Sequence, residues 1–328
     1  MQARKTRESA IHLQRQSLLF AVFLFSPLAC AGEAEAWLSK MNNAVHSLNY
    51  SGTYVYINEG QLETMQIVHR KDKDGERERL LSMNGESREI IRQGGRVTCI
   101  LPADRSVVTG KHKSATGLPT LMPESAANLK DYYEIEIIGV DRIAGYATVI
   151  LSILPKDKLR YGYHLWLEKE HGMVLRSDII DAQGKIMEQM MFTEINLRSP
   201  ISAAMLEPTV AHDTFKVVMD DSAQAEGTPI TNSRWSFRNI PKGFSVTSKV
   251  RKKMPMKKND IEHFVLSDGL ATVSVYIEKA GSGQGLEGST RMGGVNAFGR
   301  TLKGHTITVM GEVPKQTVKL IADSVFYR

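Results

Sequence analysis

Cysteine is nearly absent from this chain of 328 residues, which contains only Cys30 and Cys99. If the first is removed with a leader segment, the second has no intramolecular partner, so the fold cannot depend on disulfide bonds. Val97, Ile100 and Leu101 surround Cys99 and predict a strand that faces a core. We interpret Cys99 as a buried, inert thiol, because a reactive cysteine needs an electropositive setting that the sequence does not provide.

Motifs of catalysis and metal binding are missing as well. No G-x-S-x-G occurs, and the histidines after His12 lie singly, without the i, i+4 pairing of a helical zinc site. Residues 283–288 match G-x-G-x-x-G, but the segment 291–294 follows where a helix should begin, so we interpret them as a loop. Residues 72–75 resemble a calcium loop, yet Met83 stands where its bidentate Glu belongs. We predict no enzyme activity, no cofactor and no metal.

Apolar runs long enough for a membrane span are also lacking at the start of the chain. The apolar run at 18–25 is too short to cross a bilayer, and it follows a basic start made of Arg4, Lys5, Arg7 and Arg15. This order is typical of a signal peptide, so we predict that residues 1–31 are one and are cleaved after Ala31. A lipidated Cys30 stays open as an alternative, although Pro27 stands where a lipobox has leucine.

Charge of one sign is not in large excess either. Basic residues outnumber acidic ones by 42 to 36, and loss of the leader lowers these counts to 38 and 35, because it removes four basic residues and one acidic residue. A local exception is the basic run at 249–258, with six basic residues in ten. In an exported protein this run predicts contact with phosphate-bearing lipid or an acidic partner rather than with nucleic acid, and a solvated loop is the alternative. The predicted contact residues are Lys252, Lys253, Lys257, Lys258, Trp235 and Phe244.

What the sequence does contain is a long series of strand patterns. Residues 48–102 hold five apolar or β-branched runs, separated by turn residues at 58–60, 72–75, 84–85 and 94–95. Asn-Gly, Asp-Gly and Gly-Gly tolerate the positive φ values of tight hairpins, so this part predicts an antiparallel meander. Five more strand patterns follow between 132 and 197. We expect about ten antiparallel strands in one sheet that must curl.

A helix is predicted at 34–48, in front of the sheet. Its apolar residues recur at helical spacing, at Trp37, Leu38, Met41, Val45 and Leu48. We expect this stripe to pack on the first face of the sheet. The sequence leaves open whether the concave face is filled by side chains or open to a ligand.

An irregular apolar segment at 115–123 is either a cover over a sheet edge or a flap over a hydrophobic cleft. Side chains that adapt to acyl chains would line such a cleft. The predicted lining residues are Tyr54, Tyr56, Met65, Leu118, Leu121 and Met122.

A polar segment at 219–230 predicts a linker between two domains. Residues 32–218 would form a large N-terminal domain built on the curled antiparallel sheet. Residues 231–328 would form a smaller α+β domain with a hairpin across Asp268-Gly269 and a last helix that Pro314 opens. The predicted fold class is therefore mainly β with a C-terminal α+β part.

Both predicted domains carry stretches similar to those of a known family, the MucB/RseB regulators of the sigma-E envelope-stress response. The stretches are LNYSGTYVY (48–56), LETMQIVHR (62–70), ERERLLSMNGESREIIR (76–92), FVLSDGLATVSVYIE (264–278) and VMGEVPKQTVKLIADSV (309–325). The resemblance implies a periplasmic protein whose large domain is similar to the open β-barrel of the lipoprotein-carrier fold. It also implies binding to the periplasmic domain of a membrane anti-sigma factor (RseA/MucA-like), without catalysis.

Two functions follow from these observations and from the resemblance. The first is a regulator that shields the anti-sigma factor from site-one proteolysis and releases it on sensing mislocalised lipoprotein or lipopolysaccharide. The alternative is a lipid or lipoprotein carrier or sensor that does not bind an anti-sigma factor. The sequence does not decide the identity of the lipid, the surfaces that contact the partner, or whether the chain forms a homo-oligomer.

Overall fold

The computed structural model describes residues 28–111, 118, 129–198, 200–219, 227–252, 260–281 and 285–328. Most of the predicted signal peptide lies outside these ranges, as do Leu121, Met122, Lys253, Lys257 and Lys258. In the described ranges no helix has both the length and the apolar character needed to cross a bilayer.

Twelve strands form the first sheet, in the order β12-β6-β5-β4-β3-β2-β1-β11-β10-β9-β8-β7. Their bounds are β1 Tyr50–Asn58, β2 Gln61–Asp72, β3 Gly75–Ser82, β4 Glu89–Gln93, β5 Arg96–Leu101, β6 Ser106–Lys111, β7 Tyr133–Ile143, β8 Tyr146–Pro155, β9 Gly162–Glu168, β10 Val174–Ile180, β11 Ile186–Asn196 and β12 Lys216–Met219. All ten strands that the sequence predicted are present. The order has an end at β12 and another at β7, so the described strands form an open sheet.

Two strands of this sheet, β6 and β12, were not predicted. They pair with each other in parallel, from Lys216 opposite Ser106 to Met219 opposite Thr109, so the sheet is not antiparallel throughout. Both strands are short, and their pairing joins segments more than a hundred residues apart. Local patterns of apolar residues cannot reveal such a pairing.

Helix α1 (Leu28–Ser47) precedes the first sheet and packs against β7 and β2. Its buried side chains are Ala34, Leu38, Met41, Ala44 and Val45. They belong to one hydrophobic core with inward-facing side chains of β1, β2, β8, β9, β10 and β11. Among the described side chains of α1 the first buried one is Ala34, beyond the predicted cleavage point, so loss of residues 1–31 would leave the described buried face of α1 intact.

The C-terminal part of the chain forms a second sheet of seven antiparallel strands, in the order β13-β15-β16-β17-β20-β19-β18. The bounds are β13 Thr228–Pro229, β15 Ser245–Lys252, β16 Ile261–Ser267, β17 Thr272–Lys279, β18 Gly288–Met292, β19 Val295–Leu302 and β20 His305–Gly311. A two-stranded sheet pairs β14 (Trp235–Phe237) with β21 (Val325–Tyr327).

Helix α2 (Lys315–Ser324) covers this second sheet. Val318, Ile321 and Ala322 are fully buried and join Val273, Val275, Ile307 and Val309 of the strands in a second core. Both cores rest chiefly on strands, so the prediction of a mainly β fold is confirmed.

Candidate functional site at the junction of the two sheets

The loop between β8 and β9 carries a buried arginine that reaches the second sheet. The side chains of Arg160 and Asp268 are both completely buried, and Arg160 Nε donates a hydrogen bond to Asp268 Oδ2 over 2.5 Å. Tyr133 Oη donates to the same carboxylate oxygen at 3.0 Å. The other oxygen, Oδ1, accepts the backbone N–H groups of Leu270 and Ala271 in the β16–β17 turn. The carboxylate of Asp268 is therefore fully hydrogen-bonded without water.

The remaining guanidinium nitrogens of Arg160 are also occupied. Nη1 pairs with Asp157, and Nη2 donates to the backbone oxygen of Lys242 at 2.7 Å. Gly243 follows with a φ of +94°, and a Cβ atom there would lie 2.7 Å from Nη2 of Arg160. Only glycine fits this position, because a side chain would be strained and would displace the guanidinium.

Aromatic rings enclose the guanidinium of Arg160. Its Cζ lies 4.8 Å from the ring centre of Phe244 and 5.0 Å from that of Tyr132. Contacts of this kind favour a cation that has lost its water. A buried ion pair holds two elements in one relative position only when its hydrogen bonds are complete, as they are here.

A second polar contact joins the sheets near the start of β11. Glu188 accepts a hydrogen bond from Tyr56 Oη of the first sheet and from the backbone N–H of Gly294, at 2.5 Å, in the β18–β19 turn of the second. A Cβ atom on Gly294 would lie 2.9 Å from Glu188 Oε1. The absence of a side chain at 294 therefore permits the contact.

Another carboxylate lies beside this contact. Glu312, which follows β20, accepts a hydrogen bond from Tyr163 Oη of β9 at 3.4 Å. Burial, followed by the nearby negative charge of Glu188, raises the pKa of Glu312 to about 7. Glu312 is therefore the junction group whose charge changes near neutral pH.

Neutral hydrogen bonds complete the junction. Asn296 Nδ2 donates to Tyr161 Oη at 2.9 Å, and Thr317 Oγ1 of α2 donates to the backbone oxygen of Leu159 at 2.7 Å. The segment 157–163 thus contacts α2 and two turns of the second sheet. This short segment is the main bridge between the two sheets.

The predicted lipid-contacting residues lie in or beside the first core. Tyr54, Met65 and Leu118 are buried, and Tyr54 stands opposite Met65 in the β1–β2 pairing. Tyr56 is partly buried, and burial and its hydrogen bond to Glu188 raise the pKa of its hydroxyl. These four side chains belong to the core that α1 joins or pack against it. Whether they contact lipid stays a prediction.

Of the predicted partner-contacting residues, the structure describes Trp235, Phe244 and Lys252. Trp235 and Phe244 are buried, with 6% and 4% of their surface exposed, and both belong to the second core. Lys252 is partly exposed at the end of β15. Trp235 and Phe244 thus stabilise the second sheet, and their contact with a partner stays a prediction that requires a change of conformation.

Cys99 is only partly buried, so the interpretation of Cys99 as a buried thiol is wrong. Burial nevertheless raises the pKa of this thiol, against a smaller opposing effect of Arg88. A raised pKa lowers the thiolate fraction, so the environment still favours an unreactive cysteine.

Sequence reasoning missed a group of three side chains in the β9–β10 turn that offer metal-ligand atoms within 4.8 Å of one another, Glu168, Glu170 and His171. Glu168 already accepts the backbone N–H groups of residues 170 and 171, each at 2.7 Å. These hydrogen bonds explain the position of Glu168, which stabilises the turn.

The fold and its junction define a protein of two β-sheets that are held against each other by buried polar side chains. The chain belongs to the MucB/RseB family, because the family's N-terminal domain matches residues 33–210 and its C-terminal domain matches residues 229–326. The predicted family membership is thereby confirmed.

Curated relatives match over nearly their whole length. The sigma factor AlgU regulatory protein MucB of Pseudomonas aeruginosa is 29% identical over 94% of this chain and 95% of its own length. The sigma-E factor regulatory protein RseB of Escherichia coli is also 29% identical, over 94% of this chain and 96% of its own length.

A solved structure of MucB in complex with MucA(peri) is similar in fold to this chain. It has a TM-score of 0.69 and 26% sequence identity, and the match covers 90% of this chain and 99% of that one. A crystal structure of MucB without a named partner has a TM-score of 0.63 at the same identity.

Proposed function

We propose that this protein binds the periplasmic domain of a membrane-anchored anti-sigma factor and thereby regulates a sigma-E-type factor. The observation that carries the proposal is the similarity, across both sheets, to MucB in complex with MucA(peri). The curated relatives named as regulators of sigma factors support it. The protein acts in this proposal by binding and not by catalysis, in the periplasm, after cleavage of its signal peptide behind Ala31.

The bound anti-sigma segment is protected from site-one proteolysis in this proposal. A protease needs an extended, accessible stretch of substrate, and a chain held on a folded partner does not present one. Residues 32–218 and 231–328 act as two domains, and both bind the anti-sigma segment.

Release of the partner follows from binding of an amphiphile, either mislocalised lipoprotein or lipopolysaccharide. The first sheet acts as an open, curled barrel in this proposal, and its acyl-chain site includes Tyr54, Tyr56, Met65, Leu118, Leu121 and Met122. Tyr56 connects this region with the junction, since its hydroxyl donates to Glu188, which also accepts the Gly294 N–H of the second sheet. A ligand that displaces Tyr56 would therefore weaken one of the contacts between the sheets.

The alternative is a lipid or lipoprotein carrier that binds no anti-sigma factor. Isothermal titration of the purified mature protein with the periplasmic domain of its cognate anti-sigma factor, in lipid-free buffer, distinguishes the two functions. We expect saturable binding at a stoichiometry of one segment per protein chain or per oligomer subunit. Absence of heat and of complex formation, together with binding of lipopeptide, would favour the carrier.

A further inference from the structure

A cavity of about 530 Å³ lies at the junction, beside the contacts already described. Its walls come from both sheets. The first sheet provides the segment around Lys158 and the β10–β11 turn, including Lys185, and the second provides Arg291 of β18 and the start of α2 with Lys315. A group bound there would contact both sheets at once.

Positive charge dominates this cavity. Four cationic side chains line it, Lys158, Lys185, Arg291 and Lys315, against the single carboxylate of Asp181. The Asp181 carboxylate already accepts hydrogen bonds within its own turn. Its Oδ1 accepts the backbone N–H groups of Gln183 and Lys185, each at 2.9 Å. Cations that surround one concave space raise the local concentration of anions.

The cations are available for a ligand. In the described ranges, Lys158, Lys185 and Lys315 form no ion pair within 4.0 Å. Arg291 pairs with Glu59 at 3.2 Å, but both side chains are about half exposed, at 53% and 44%. Such surface pairs are weak, so a multiply charged anion can compete for the guanidinium.

The start of α2 supplies a second, independent feature. Pro314 and Gln316 line the cavity with Lys315, so the N-terminus of a ten-residue helix opens onto it. Pro314 at the N-cap provides no side-chain hydrogen bond to this end, and no acidic residue stands in the first turn. The partial positive charge of a helix N-terminus and its free backbone N–H groups favour an anion.

We propose that this cavity, lined by Lys158, Lys185, Arg291 and Lys315, binds a phosphate-bearing group. A phosphate monoester carries up to two charges and several acceptor oxygens in a small volume, which suits cations that converge from several sides. The cavity volume falls in the range of small-ligand pockets. An extended acidic peptide would present its carboxylates singly along a groove. The site does not depend on the proposed function.

The test measures binding of glucose 1-phosphate and of inorganic phosphate to the mature protein by isothermal titration, with glucose as the uncharged control. Vesicles of phosphatidylcholine with and without phosphatidic acid form a second arm, which distinguishes a lipid head group from a free phosphate. We expect saturable binding of glucose 1-phosphate and none of glucose. Failure of every phosphate-bearing probe to bind would overturn the proposal.

The variant Lys158→Gln/Lys185→Gln/Lys315→Gln should weaken this binding by at least roughly tenfold, since it removes three of the four cations. Its matched control is Lys71→Gln/Lys73→Gln/Lys216→Gln, which removes the same charge from exposed positions elsewhere on the first sheet. Equal weakening of binding in both variants would show that binding depends on the net charge of the protein. That result would overturn the proposed site. Should the first variant fold poorly, Lys315→Gln alone still tests the site, with Lys315→Arg expected to retain binding.

Hydrogen exchange locates the bound phosphate. We expect protection by glucose 1-phosphate in the β10–β11 turn and in the first turn of α2 together, because both line the cavity. Protection confined to residues 249–258 would place the ligand on the basic run and contradict the proposal. Lysine-dependent binding of a hexaglutamate peptide without any binding of phosphate would also overturn it, in favour of an acidic peptide.

Discussion

At the scale of single residues, two carboxylates at the junction differ in how their neighbours compensate the negative charge. Asp268 is buried against Arg160 and accepts hydrogen bonds at both oxygens. Glu312 lies near Glu188, a group of the same charge, and its pKa is raised to about 7 by burial first and by that neighbour second. The hydrogen bonds of the first carboxylate are complete, whereas the stabilisation that the second provides depends on pH.

Replacement of Arg160 by Met should lower the free energy of unfolding by about 3–5 kcal/mol, because Asp268 would remain buried without its cation. Chemical denaturation of the purified protein measures the loss. The double variant Arg160→Met/Asp268→Asn should cost less than the sum of its single changes, since the two side chains interact directly.

The control for Arg160 is Lys319→Met in α2, where the pair with Asp323 is exposed at 55% and 46%. This change should alter the free energy of unfolding by less than about 0.5 kcal/mol. A cost for Arg160→Met as small as that of the control would contradict the assigned role of the buried pair.

Glu312 predicts a pH dependence of stability. Its pKa of about 7 in the folded protein exceeds its ordinary value of 4.5, so the folded state holds this proton more tightly than the unfolded chain does. The resulting stabilisation is complete below pH 4.5 and is lost as the pH rises through about 7. The free energy of unfolding of Glu312→Gln minus that of wild type should therefore be about 1–3 kcal/mol larger at pH 8 than at pH 5.

Denaturation of both proteins at a series of pH values checks this prediction. Glu134→Gln, at an exposed position of β7, is the control and should shift stability equally at both pH values. A difference between Glu312→Gln and wild type that does not change with pH would show that Glu312 titrates normally.

At the scale of elements, helix α1 stabilises the first sheet by packing against it. Leu38 and Met41 are 1% and 0% exposed and pack within the first core. Leu38→Ala should lower the free energy of unfolding by about 2–5 kcal/mol, because it leaves a cavity between helix and sheet. Ser39→Ala, on the exposed face of the same helix, should cost less than about 0.5 kcal/mol. Similar small costs for both would mean that α1 does not pack in this core.

The apolar stripe of α1 and the ten predicted strands were recognisable because each is a local, periodic pattern. The pairing of β12 with β6 was not, since it joins distant segments of the chain. Arg160 and Asp268 were missed for the same reason. Arg160 stands in no motif, and Asp268 was recognisable only as part of a hairpin turn. The two residues lie 108 positions apart in the sequence, so their contact appears only in the structure. Trp235 and Phe244 looked like contact residues by type, but the second core buries them.

At the scale of the whole molecule, the predicted linker at 219–230 runs from the last residue of β12 to the residue after β13, while the junction joins the two sheets in space. Limited proteolysis should cut first within 219–230, because polar segments between domains are preferred sites of cleavage. The two fragments should then elute together at neutral pH, held by the contact between Arg160 and Asp268. First cleavage within 48–102 would contradict the domain boundary.

We propose that this protein shields an anti-sigma factor from proteolysis. The most direct measurement follows cleavage of the cognate anti-sigma periplasmic domain by its site-one protease, with and without this protein, and then with added lipopolysaccharide or lipopeptide. We expect cleavage to slow as the protein approaches equimolar amounts and to recover with the amphiphile, because couplings between sites of about 1–3 kcal/mol change affinity many-fold. An unchanged rate of cleavage in the presence of saturating protein would contradict the account.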